Sequence, residues 1–307
     1  RRYGYQPRVH HLAAGRPRPG KRLTLVAAAR SAAFHWLVDV EQIMGMPISI
    51  HTLIEGPATT DSVVQDAARR CFDDLRQVDR VFSPFDPRSD IRRIARGELR
   101  DSDAAPMLAE VRELCDQARD ATGGLFDAGW KGWFDHTGLV KGWAVEQVAR
   151  RHLEPLMTDR RVAAVGINAG GDVQLFTHPD SSWIWNVGIA DPRASGEIIA
   201  TLPVSTGAIA TSGTAERGPH IIDPRTGKHT TGILSATVEA DSLTRADLWA
   251  TTAMIAGFDD LSWLDSAGTS TGLLVAADGR TRRWLGATEI MVTAHDPDFI
   301  TGVIGGA

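Results

Sequence analysis

Residues 163–177 read AAVGINAGGDVQLFT, residues 185–192 read WNVGIADP, and residues 198–212 read IIATLPVSTGAIATS. Each is a short run of β-branched and small apolar residues cut by glycine, proline or aspartate, the pattern of strands joined by tight turns. Toward the C-terminus, Leu234 to Ala240 reads as another strand. Gly272 to Ala277 and Thr281 to Leu285 flank Asp278-Gly279, a hairpin signal. Toward the N-terminus, Met46 to Ile54 alternates like a half-buried strand. Between these runs lie helices. Thr59 to Val81 repeats Val64, Ala67, Cys71, Leu75 and Val78 at three- and four-residue steps, and Asp61 near its start suits the helix dipole. Two prolines in Phe82-Ser83-Pro84-Phe85-Asp86-Pro87 end it. Further helices are predicted over Ala105–Ala121, from near Lys141, over Thr244–Ala256, and, shorter, over Asp259–Ala267. Strands and helices do not alternate as βαβ units, so the expected class is α+β, with mixed or antiparallel sheets flanked by helices.

A chain of 307 residues with 43% apolar and 23% charged residues can bury a large core without disulfides or a structural metal. A net charge of −5 argues against a general nucleic-acid partner, which needs a basic face. The two cysteines, Cys71 and Cys115, fall inside helical patterns and read as small core residues. Residues 1–38 carry eight arginines and lysines and no acid before Asp39. Their apolar stretch Leu23–Ala29 is too short to span a bilayer and is cut by Arg30. They are read as a basic, disordered leader ahead of a domain over 39–307. The residues leave the compartment open between a cytoplasmic location, which is favoured, and the outer face of a membrane.

Five segments hold residue combinations that folding alone does not require. Asp135-His136-Thr137-Gly138-Leu139-Val140-Lys141-Gly142 places glycine, lysine and open N–H groups at a helix start, as phosphate binding needs. A turn at Gly138 and a solvated Lys141 explain it equally well. Asn168-Ala169-Gly170-Gly171-Asp172 permits close ligand approach or a plain hairpin turn. Thr211-Ser212-Gly213 is either a hydroxyl-bearing phosphate loop or a turn. In His220-Ile221-Ile222-Asp223-Pro224-Arg225-Thr226-Gly227, the second half suits a tight turn, and His220 is a possible general base or a structural histidine. Asp247 and Thr251, four residues apart on one helix, share a face. A carboxylate and a hydroxyl so placed make a partial site for a hard cation such as Mg²⁺, or Asp247 only charges the helix's first turn.

In this order, Met44-Gly45-Met46, FSPFDPRSD, TGGLFD, DHTGLVKG, NAGGD, HIIDPRTG and SATVEADSLTRADLWATT resemble the ApbE family of FAD:protein FMN transferases. The resemblance runs from about Met44 to Trp284. It implies an α+β enzyme that binds FAD in a cleft and uses Mg²⁺ at the pyrophosphate. It also implies transfer of FMN to a Thr or Ser hydroxyl of an acceptor flavoprotein, with release of AMP. Carried over position by position, it implies metal ligands at Asp247, Thr251 and the Gly138 carbonyl. Flavin and nucleotide contacts are implied at Met44, Phe85, Leu125, Phe126, Asp127, Asp135, Lys141, Ile221 and Ile222, and the base at His220.

Some positions depart from the family. Met46 stands where Thr is usual and Phe85 where Tyr is common, so two hydroxyls are absent. DHTGLVKG replaces DLGGIAKG, similar to compact actinobacterial members, and Thr214–Gly218 lacks an aromatic residue. Two alternatives use the same residues: an Mg²⁺-dependent FAD pyrophosphatase, in which water replaces the protein hydroxyl, and a non-catalytic flavin-binding protein.

Overall fold

A computed structural model describes residues 34–56, 61–214, 218 and 221–291. The strands are β1 (Phe34–Ile43), β2 (Met46–Glu55), β3 (Val162–Ala169), β4 (Asp172–Thr177), β5 (Trp185–Ala190), β6 (Ile198–Val204), β7 (Gly207–Gly213), β8 (Ile222–Asp223), β9 (Lys228–His229), β10 (Ile233–Ala240), β11 (Thr271–Ala276), β12 (Thr281–Leu285) and β13 (Thr288–Ile290). The helices are α1 (Ser62–Phe82), α2 (Asp90–Ala95), α3 (Pro106–Ala121), α4 (Val140–Val148), α5 (Leu243–Ala256) and α6 (Leu264–Ala267).

Nine strands form one sheet in the order β1-β2-β3-β4-β7-β10-β11-β12-β13, and every neighbouring pair is antiparallel. Side chains alternate across it. On one face Ile48, Ile50, Val165, Ile167, Phe176, Ala210, Val238 and Leu274 pack against the helices. On the other, Leu53, Val173, Leu175, Ile209, Leu273 and Val275 pack against Trp185, Ile189, Leu202 and Val204 of the separate β5–β6 ribbon. The α+β class read from the irregular strand–helix order is therefore the one observed.

Helix α1 buries Val64, Ala67, Cys71, Phe72, Leu75, Val78 and Phe82 along one stripe. Asp61 does more than face the dipole. It is the N-cap, its carboxylate accepting from the N–H groups of Val63 and Val64 at 3.0 and 3.3 Å. Helix α5 is different: most of its residues are buried on all sides, because it lies between the sheet and α4. Cys71 and Cys115 are both free and buried, and burial pushes both thiols up, Cys115 to about 12, so they are core residues.

Three sequence expectations need correction. The boundary placed at residues 38/39 falls inside β1, so Phe34–Val38 belong to the sheet. Thr211-Ser212-Gly213 is neither a loop nor a turn but the end of β7, paired with β10. The helix expected over Asp259–Ala267 is confined to Leu264–Ala267. No helix among the described residues is long and apolar enough to cross a membrane.

Candidate functional site

The sheet gathers the glycine- and hydroxyl-rich segments at one end. The β1–β2 connection is Met44-Gly45, with both residues in the left-handed region (φ 56° and 75°). Such a two-residue turn matches the twist of a hairpin, but only glycine adopts it freely, so Met44 holds a strained backbone while its side chain packs on the core. Beside it, Gly170 and Gly171 turn β3 into β4 with φ of 61° and 103°. Asn168 Oδ1 accepts from Gly171 N at 2.9 Å, and Met46 lies against Gly170. Asp172 follows at once as the first residue of β4. Its Oδ1 accepts from Thr211 N at 2.9 Å, tying the start of β4 to the end of β7.

Over this end lie α4 and α5, antiparallel and in close contact. Gly142 makes the approach possible: a Cβ there would come within 2.9 Å of both Asp247 Cβ and Leu243 O. One residue earlier, the Lys141 ammonium sits in direct contact with Asp172 and 3.3 Å from Asp247 Oδ1. Asp172 and Asp247 are 2% and 5% exposed. Burial pushes the Asp247 carboxyl up to about 6; the Lys141 ammonium opposes this, neighbouring Asp172 adds to it, and the Gly142 N–H opposes it again. For Lys141 burial favours the neutral form, yet Asp247 and Asp172 outweigh it and the amine is held well above its ordinary value. Two acidic side chains share one ammonium, so with both ionised the cluster has one negative charge in excess.

Asp247 and Thr251 lie one turn apart on α5, and the Thr251 hydroxyl is hydrogen-bonded to Ser212 Oγ at 2.9 Å. These are oxygen donors of the kind a hard cation takes, and the excess negative charge beside them favours one. Among the described residues, no three His, Cys, Asp or Glu side chains form a metal cluster, so any cation here would rely on this mixed set. Gly138 lies two residues before the start of α4, with the Phe126 ring 3.1 Å from where a Cβ would stand.

The other expected contacts spread around this centre. Leu125 and Phe126 pack into the core after α3. Asp127 engages Gly129 N at 2.7 Å and Arg119 at 3.6 Å. Asp135 is bonded to Lys131 at 2.8 Å and to Thr137 Oγ1 at 2.6 Å. Burial raises its carboxyl, but these bonds outweigh that and hold it below the usual range. Phe85 is 91% exposed on the loop after α1. Ile221 is buried and Ile222 opens β8. Trp130 reaches across to Gly227 of the β8–β9 turn, so the 126–135 loop and the segment after residue 220 meet. His220 itself lies outside the described residues.

Sequence reading missed three participants. Asp172 was visible only as the end of a glycine turn, Ser212 only as one of two hydroxyls, and Glu146, which accepts from Thr244 on α5, not at all. An acid directly after Gly-Gly was the one usable signal, since such a turn aims its neighbours at whatever lies over the sheet edge.

An α+β protein with one antiparallel sheet, a buried Lys between two Asp, and a carboxylate–hydroxyl pair on a central helix has the makings of a phosphate- and cation-handling site. The model of the ApbE family matches residues 44–135 and 129–272, and the chain belongs to that family. A FAD:protein FMN transferase of Rhodobacter capsulatus is 36% identical over 102 residues, which is 31% of this chain and 19% of that protein. The match thus spans about a fifth of the curated relative's length. The ApbE protein of Thermotoga maritima superposes with a TM-score of 0.67 at 21% identity, covering 81% of this chain and 97% of that one. The flavin transferase ApbE of Vibrio cholerae gives 0.60 at 18% identity over 83% and 98%. The Pseudomonas stutzeri flavinyl transferase ApbE gives 0.62 at 17% identity over 80% and 94%. These structures share the fold described above.

Proposed function

We propose that this chain is a Mg²⁺-dependent FAD:protein FMN transferase. The reading rests on family membership and on one observation, the Lys141 ammonium held between buried Asp172 and Asp247 next to the Thr251 hydroxyl. Phosphoryl transfer asks a protein mainly for positioning and charge stabilisation, and a lysine fixed at a closed helix crossing provides both. Mg²⁺ bound by Asp247, Thr251 and the Gly138 carbonyl would neutralise charge on the FAD pyrophosphate. Lys141 holds the same pyrophosphate from the α4 side. Met44, Phe85, Leu125, Phe126, Asp127, Asp135, Ile221 and Ile222 surround the flavin and nucleotide. A Thr or Ser hydroxyl of an acceptor flavoprotein attacks the FMN-side phosphorus. As the new P–O bond forms, the hydroxyl proton passes to the His220 imidazole. The bond to the AMP-side bridging oxygen breaks, AMP leaves, and FMN stays on the acceptor as a phosphoester.

The test is incubation with FAD and MgCl₂, with and without an acceptor flavoprotein, for the wild type and His220→Ala. AMP is followed by chromatography and the acceptor by intact mass. Acceptor-dependent AMP release, an FMN adduct, and loss of both in the variant are expected. AMP release at full rate without acceptor identifies a hydrolase instead, and FAD binding with no AMP at all identifies a silent flavin binder.

A further inference from the structure

The first turn of α5 is held by buried side chains from two other elements. Glu146 Oε2, on α4, accepts from Thr244 N at 3.0 Å and Thr244 Oγ1 at 2.6 Å, and also from Ser242 Oγ. Its other oxygen accepts from Arg150 Nε at 2.8 Å. Gln174, on β4 and fully buried, accepts from Leu243 N at 3.1 Å through Oε1 and donates to Gly207 O at 3.1 Å through Nε2. The N-cap Ser242 takes Arg245 N at 3.3 Å. The opening N–H groups of a helix have no partners within it. Here they are taken by groups that also fix where the helix stands.

The geometry assigns Glu146 and Gln174 as positioning residues that set the axial register of α5, so that Asp247 and Thr251 stand opposite Lys141 and Ser212. The inference rests on the FMN-transfer reading for what the site holds. Asp247 lies about one turn and Thr251 about two turns beyond the clamped residues, and a slip of one residue moves a helix by about 1.5 Å along its axis. Such a slip is large against the 3.3 Å between Lys141 and Asp247. Glu146 and Lys141 share α4, so a single rigid element presents both the cation and the group that aligns its partner. Gln174 and Asp172 share the same face of β4 in the same way.

The test uses the full chain with Gln174→Leu, which carries no charge change, and Glu146→Gln. The dependence of the unfolding temperature on MgCl₂ gives an apparent affinity for the metal alone, and AMP formation gives kcat and KM for FAD separately. For both variants Mg²⁺ affinity is expected to fall about 10- to 100-fold, as when groups that orient metal ligands are removed. The drop in kcat should exceed the change in KM. If the leucine variant does not fold, Gln174→Met fills the same space. Variants that unfold at lower temperature yet bind Mg²⁺ within about twofold of wild type show a purely structural clamp and overturn the assignment. A wild-type chain with no Mg²⁺ response removes the metal reading and this inference together, whereas a responsive wild type with unaffected variants removes the inference alone.

Discussion

Gly142 on α4 and Asp247 on α5 approach so closely that a single added methyl carbon would lie 2.9 Å from Asp247 Cβ. The neighbouring atom at the same distance is the Leu243 carbonyl oxygen, part of a helix backbone that cannot rotate away. Gly142→Ala is therefore expected to destabilise the chain by about 1–3 kcal/mol through overpacking. It should also separate Lys141 from Asp247. Chemical denaturation measures the first effect and AMP formation from FAD the second; an alanine variant as stable and active as wild type contradicts the contact.

Lys141 is the cation that compensates Asp172 and Asp247. Lys141→Met leaves two buried carboxylates facing each other, so a loss of about 3–5 kcal/mol is expected at neutral pH in the absence of metal. Added MgCl₂ should restore part of that stability, because a divalent ion replaces the missing charge. Thermal unfolding with and without MgCl₂ checks both points.

Ser212 touches Thr251 through a hydroxyl–hydroxyl bond of 2.9 Å. Ser212→Ala removes the group that fixes the Thr251 hydroxyl without emptying much volume. Stability should stay within about 1 kcal/mol, while the Mg²⁺ concentration needed for half-maximal AMP formation should rise about 10- to 100-fold. An unchanged Mg²⁺ requirement would show that the bond orients nothing.

Glu146 links acid sensitivity to the site. Burial raises its carboxyl, but bonds from Ser242, Thr244 and Arg150 outweigh that and hold it below its ordinary value of 4.5. A carboxyl depressed on folding contributes stability that is complete above its unfolded value and is lost as the pH falls through the folded one. The gap in unfolding free energy between wild type and Glu146→Gln should therefore be widest near neutrality and close as pH drops below 4.5. Urea titrations across that range decide it; a gap independent of pH contradicts the assignment.

Much of the fold was legible because it follows from local periodicity. The three- and four-residue repeat of Val64, Cys71, Leu75 and Val78 marked α1, and Asp278-Gly279 marked the β11–β12 hairpin. Strand β1 escaped although its residues alternate, Phe34, Trp36, Val38 and Val40 pointing one way and His35, Leu37 and Glu41 the other. The alternation was masked by the basic run before it, and its apolar side is the exposed one, so nothing distinguished it from a leader.

The sequence by itself determined the α+β class, the placing of Asp247 and Thr251 on one helix face, and, through the order of its motifs, the family resemblance that the family match bears out. These depend on neighbours a few residues apart. Only the tertiary structure decided which groups those side chains meet. Thr211 reaches Asp172 and Ser212 reaches Thr251 across 39 residues each, Gln174 reaches Leu243 across 69, and Glu146 reaches Thr244 across 98. Such contacts are set by strand register and by how closely Gly142 lets two helices approach, and no local pattern encodes either.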